Sequence, residues 1–197
     1  MNHLTPRILL IGGTSHAGKS TLARNLGKTL GWKLVSTDHL ARHPGRPWKA
    51  LPEQVPGHVA AHYLSLSANQ LLADVLRHYQ SLWPIISDLI VHSDAPLIVE
   101  GSALWPEWTA GLAPDNVTAL WLTASDESLK QRIREASGYD KAVGEQKEMI
   151  RKFVVRTLLY NRMMMEAVHR LELPSVSVEH HTLKTSTGEC LRLLKTS

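Results

Sequence analysis

Short, unbroken apolar runs alternate along this chain with longer stretches in which apolar residues recur every third or fourth position. The short runs are Ile8-Leu9-Leu10-Ile11, Trp32 to Ser36, Leu97-Ile98-Val99, Val117 to Leu122 and Ser175 to Val178. Their length and β-branched content predict five strands. Helical spacing runs through Leu22 to Leu30, Leu64 to Leu89, Leu129 to Ile133, Ile150 to Leu171 and Thr187 to Leu194. Gly31 reads as a helix stop, Ser125 as an N-cap with Asp126 and Glu127 in the first turn, and Ser137-Gly138 as a break. Within the 59–92 segment, Pro84 is expected to kink the helix or split it, because proline lacks the amide that would bond one turn back. Strands that alternate with helices imply an α/β domain whose mostly parallel five-stranded sheet is covered by helices on both faces, in three layers. The span 1–197 reads as a single domain.

Residues 43 to 58 interrupt this rhythm with four prolines and two glycines. A loop of that length inside a compact domain is usually functional or disordered, and Trp48 argues against disorder; a proline-stiffened surface crossing is the alternative. Formal charge is only +4, with a pI near 9.3. That balance suits a pocket for phosphorylated ligands, and without a run of five or six basic residues no nucleic-acid partner is expected. Cys190 is the lone cysteine, so no internal disulfide is possible and a reducing compartment is implied. No stretch approaches the roughly 18 apolar residues of a membrane span, and the expectation is a cytoplasmic protein without a membrane partner.

One stretch carries specific chemistry. Gly13, Gly18, Lys19 and Ser20 satisfy the spacing G-x-x-x-x-G-K-[ST], directly after the first predicted strand and directly before the first predicted helix. This is the context in which the pattern means phosphate binding. The strand aims the chain, the glycines let successive amides curl around phosphate oxygens, and the helix start adds a favourable dipole. Gly13, Thr14, Ser15, His16, Ala17, Gly18, Lys19, Ser20 and Thr21 are therefore expected to bind a nucleoside triphosphate, with Lys19 on its β- and γ-phosphates. Ser20 would offer its hydroxyl to Mg²⁺.

Further candidates follow from strand ends, because in open parallel sheets ligands gather at the carboxyl edge. Asp38 follows the second strand, where it would activate an acceptor hydroxyl or hold Mg²⁺ through water; the competing role is an N-cap for a helix starting at His39. Glu100 closes the third strand in the place of a Walker-B acid, supporting a Mg²⁺-bound water or touching the acceptor. Arg42, Arg46 and Trp48 in the long loop, and Trp105 after the third strand, are candidate acceptor contacts. Arg132 and Arg156 flank the break at 138–148, which would act as a flap closing cations over the transferred group. His58 and His62, one helical turn apart, lack a third partner in the sequence and are not read as a metal site.

With these residues in place, the chain resembles the small P-loop kinases: nucleoside monophosphate kinases, shikimate and gluconate kinases, and chloramphenicol phosphotransferase. The likeness rests on Gly12 to Thr21, on Asp38 about twenty residues past the loop lysine, on Arg132-Ile133 as a lid arginine, and on Arg156 to Tyr160 as the helix after the lid. It implies a three-layer P-loop fold with a helical lid near 138–148. It also implies ATP- and Mg²⁺-dependent phosphotransfer to a hydroxyl of a small molecule. The chain departs from the pattern in having no second lid arginine shortly after Arg132, and residues 42 to 58 match no acceptor motif. A nucleoside or nucleotide acceptor is the alternative, and an ATP-operated sensor without an acceptor is the alternative of another class.

Overall fold

The computed structural model describes residues 8–41, 43–48, 55–112, 116–179 and 182–196. Five strands, β1 (Ile8–Gly13), β2 (Lys33–Ser36), β3 (Leu97–Glu100), β4 (Val117–Thr123) and β5 (Ser175–Ser177), form one sheet in the order β2-β3-β1-β4-β5. Every pairing is parallel. Parallel neighbours demand crossover connections, and the helices supplying them fall on both faces.

β1 shows why both faces are covered. Its side chains alternate, so Leu9 and Ile11 enter one core with Leu22 and Leu26 of α1 (Lys19–Leu30) and Cys190 and Leu194 of α7 (Leu183–Thr196). Ile8 and Leu10 enter the opposite core with Leu82, Ile86 and Ile90 of α3 (Ala68–Val91). Nothing in β1 is left for solvent: all six residues are buried. The remaining helices are α2 (Gly57–Ser65), α4 (Pro106–Ala110), α5 (Asp126–Ser137) and α6 (Gly144–Arg170). Among the described residues no helix is long and apolar enough to cross a membrane. Buried Cys190 is a core hydrophobe whose thiol burial pushes up to about 12.

Two local expectations are corrected. The 59–92 segment does split, but at Leu66-Ser67 and not at Pro84, which stays inside α3. A reciprocal cap decides the site: the Gln70 amide donates to Ser67 Oγ at 3.3 Å, and the Ser67 amide donates to Gln70 Oε1 at 2.8 Å. These bonds satisfy helix-start groups that would otherwise lack partners. After β2 the chain forms one 3₁₀ turn, Thr37–His39, instead of a helix beginning at His39. Asp38 caps nothing there.

The 138–148 segment consists of a six-residue connection, 138–143, and the first turn of α6. Gly138 ends α5 in the left-handed conformation that a glycine C′ position favours.

Candidate active site

The phosphate loop joins the end of β1 to the start of α1. Gly13 has φ 138°, and a Cβ there would meet the Leu122 carbonyl oxygen at 2.7 Å, so only glycine lets β1 turn this tightly beside β4. His16 sits at φ 66°, a left-handed conformation that few side chains accept. Among the described residues no backbone carbonyl accepts the amides of Ser15, His16 or Gly18. Lys19 is buried and its ammonium turns back on the loop, donating to the Thr14 carbonyl at 2.7 Å and to Ser102 Oγ at 3.2 Å. Burial lowers its pKa, while Asp38 and Glu100 pull it upward. The ammonium therefore lies within the field of both acids. Ser20 Oγ donates to Glu100 Oε1 at 3.0 Å. A cluster of free amides, one buried ammonium, a hydroxyl and a strand-end carboxylate is the donor set that a Mg²⁺-bound triphosphate requires.

Asp38 faces a cavity of about 230 Å³ beside this loop. Its carboxylate makes no hydrogen bond to another described residue. Ser15, Ser102, His43, Arg46 and Arg156 line the same cavity. A larger hollow of about 460 Å³ lies along α5 and α6 around Lys130, Arg134 and Tyr139, and none of its lining belongs to the phosphate loop or the strand ends.

Arg156, on α6, is buried with its guanidinium 4.5 Å from the centre of the Phe153 ring. It donates to the Tyr63 hydroxyl at 3.3 Å, and that hydroxyl donates to the Gly45 carbonyl at 2.5 Å. The loop bearing Gly45 is thus tied through Tyr63 to the same cation that lines the cavity. Arg132 reaches the phosphate loop from α5, donating to the His16 carbonyl at 3.2 Å. Both arginines expected at the transferred phosphate are therefore at the loop or the cavity.

Positive charge dominates the surroundings. Burial holds His16 near a pKa of about 4, assisted by Arg46, Lys19, Arg132 and Arg156, and burial with Arg156 holds His43 near the same value. Both imidazoles are neutral at physiological pH. The site is built to receive anions.

The other candidates divide. Trp48 packs on Phe153 at 4.8 Å between ring centres and on His16 at 5.8 Å, at the rim of the site. Glu100 meets Ser20 and does not line the cavity that holds Asp38. Trp105 turns away: it packs against Tyr160 and Trp108, and does not line the cavity. Arg42 lies outside the described residues. Arg134 and Arg151 are committed to Asp140 and Glu148 on the surface. The sequence reading missed Tyr63, Phe153, His43, His78 and Ser102, none of which stands in a recognisable motif.

No family model matches the chain. A curated mouse protein named probable gluconokinase is 28% identical over 142 residues, covering 68% of this chain and 74% of that one. Among solved structures, a gluconokinase from Sinorhizobium meliloti superposes over 98% of this chain and 93% of its own, with a TM-score of 0.55 at 16% identity. The shikimate kinase of Bacteroides thetaiotaomicron gives 0.53 at 12% identity, covering 96% and 98%. A sugar kinase from a Janibacter species gives 0.52 at 16%, covering 96% and 95%. The fold is that of the small P-loop kinases. Within this P-loop kinase fold the phosphate loop and Asp38 come from the carboxyl edge of neighbouring parts of the sheet, as the strand order β2-β3-β1 dictates.

Proposed function

We propose that this chain transfers the γ-phosphoryl group of ATP to a hydroxyl of a small, negatively charged, polyhydroxylated molecule, with sugar acids of the gluconate type as the leading class. One observation carries the reading: Asp38, whose carboxylate bonds no other described residue, and the buried Arg156 line a single cavity together with Ser15 of the phosphate loop. The likeness to a probable gluconokinase supports the acceptor class.

In this reading the loop amides and Lys19 hold the triphosphate, and Ser20 with Glu100 forms the seat for Mg²⁺, whose charge would neutralise phosphate oxygens. Asp38 accepts the proton of the attacking hydroxyl and orients its oxygen in line with the phosphorus. Arg46 and Arg156 bind the acceptor's anionic end, while Arg132 and Arg156 balance the charge on the moving group. Such transfer is mostly positioning and charge neutralisation, and these groups supply both. The cavity, at about 230 Å³, is smaller than the roughly 300 Å³ at which drug-sized ligand pockets begin, and favours a compact acceptor over a nucleotide. A reducing, cytoplasmic setting fits the single buried thiol.

The test is ADP release measured against a panel of sugar acids, neutral sugars and nucleoside monophosphates. Acceleration by a sugar acid supports the proposal; acceleration by a nucleoside monophosphate alone, or by nothing, rejects it.

A further inference from the structure

Beside the acceptor cavity, three segments distant in sequence bring a second cluster together. His43 follows β2 in the long loop, His62 lies on α2 and Asp74 on α3. Their ligand atoms all lie within 4.8 Å of one another. Asp74 is divided between two tasks. Its Oδ1 accepts from Arg77 at 2.9 Å, while its Oδ2 is 3.3 Å from His43 Nε2 and 3.7 Å from His62 Nε2. His62 Nε2 is buried with no hydrogen-bond partner. A buried ring nitrogen without a partner is costly to keep, and this one lies within 4.8 Å of both other ligand atoms.

We propose that His43, His62 and Asp74 bind one Zn²⁺ ion, leaving a fourth position for water. Two imidazoles and a carboxylate are a ligand set that suits zinc. With bonds of about 2.0–2.1 Å, a tetrahedral ion separates its ligand atoms by about 3.4 Å. The two distances to Asp74 Oδ2 already bracket that value, so capture needs only a small rotation of the imidazoles toward each other. His43 Nδ1 now accepts the Gly45 amide at a long 3.4 Å. On binding, the imidazole proton resides on Nδ1 and this contact is given up. Arg77 keeps Asp74 ionised and oriented from outside, as second partners of metal-bound carboxylates do. Arg156 opposes an added cation from the cavity side, and the Asp74 charge offsets it.

The ion would act as a clip. It would tie the loop bearing Gly45 and Arg46 to α2 and to α3, whose Val75, His78, Tyr79 and Leu82 line the cavity. The binding claim stands on geometry alone and is independent of the phosphotransfer reading, because its test involves no turnover.

The full chain, dialysed against chelator, is titrated with Zn²⁺ by calorimetry and with Co²⁺ by visible absorption, without nucleotide. The proposal predicts one tight equivalent per chain, a Co²⁺ spectrum of four- or five-coordinate form, and a higher melting temperature with zinc. His62→Gln and Asp74→Asn, each checked for native circular dichroism, should weaken that equivalent by at least about 100-fold. Absence of a tight equivalent in the wild type overturns the proposal. So does an equivalent retained unchanged in both variants, which would place the ion on other histidines.

Discussion

Ser20 on α1 and Glu100 at the end of β3 meet in a hydrogen bond of 3.0 Å, although 80 positions separate them in the chain. The pairing follows from the sheet. β3 runs parallel beside β1 with Glu100 opposite Ile11, so the acid arrives next to the helix that β1 feeds. A carboxylate held against the phosphate-loop hydroxyl is suited to steady a hydrated cation. Glu100→Gln should therefore raise the Mg²⁺ concentration needed for half-maximal turnover by about tenfold or more, following what loss of one supporting ligand costs a metal site. An unchanged Mg²⁺ dependence would leave Glu100 as a packing partner of Ser20.

Lys19 has no solvent to fall back on. Its ammonium is buried and bonded to Thr14 and Ser102. Lys19→Met should lower kcat/KM by about three orders of magnitude, the scale of removing a fixed charge from a developing anion. Circular dichroism should remain native, since the methionine stem fills the same volume. A coupled assay of ADP release checks this, and turnover reduced only severalfold would take the nucleotide role from Lys19.

Gly101 fixes the position of Asp38 indirectly. A Cβ at Gly101 would lie 1.7 Å from Thr37 Oγ1, and Thr37 is fully buried just before Asp38. Gly101→Ala should displace the 3₁₀ turn, cost about 1–3 kcal/mol of stability through overpacking, and reduce kcat more than nucleotide affinity. Denaturant unfolding and nucleotide titration of one sample check both halves.

Acid should unfold this protein through its neutral imidazoles. His16 and His43 are held near a pKa of about 4 by burial, against an ordinary value of 6.5. Between those limits the unfolded chain binds protons that the folded chain refuses. Stability is therefore unaffected by these two groups above pH 6.5 and falls as pH drops from 6.5 through 4, by about 1–2 kcal/mol per histidine once partial solvent screening is allowed for. Urea unfolding midpoints across this range should decline, and the decline should shrink in His43→Gln. A flat profile would place both imidazoles in water.

Much of this was legible in the chain itself. Spacing of glycines, lysine and serine located the phosphate loop, and the apolar run ending at Glu100 located the acid, because both signals are local. The position of Arg156 was legible through its likeness to a known helix: it lies on α6 and lines the cavity. Tyr63 and Phe153 were not: their roles arise only when α2 packs on α6, a relationship between segments with no shared motif. His43, His62 and Asp74 escaped for the same reason, since the third partner that His62 lacks locally comes from another helix. The Ser67/Gln70 cap was present as a sequence pattern, yet Pro84 drew attention to a break that neighbouring helix packing suppresses. Trp105 misled because a loop tryptophan's direction is set by Tyr160 and Trp108, not by its position after a strand.

Asp38 bears the central claim. It is exposed, bonds no other described residue, and lines one cavity with Ser15 of the phosphate loop and Arg156. The decisive measurement is acceptor-dependent ADP release by wild type and Asp38→Asn, with ATP binding followed in both. Wild type should show release that rises with sugar-acid concentration; the variant should lose about 100-fold or more of kcat while binding ATP normally. Equal, acceptor-independent hydrolysis in the two proteins would contradict phosphotransfer at this site.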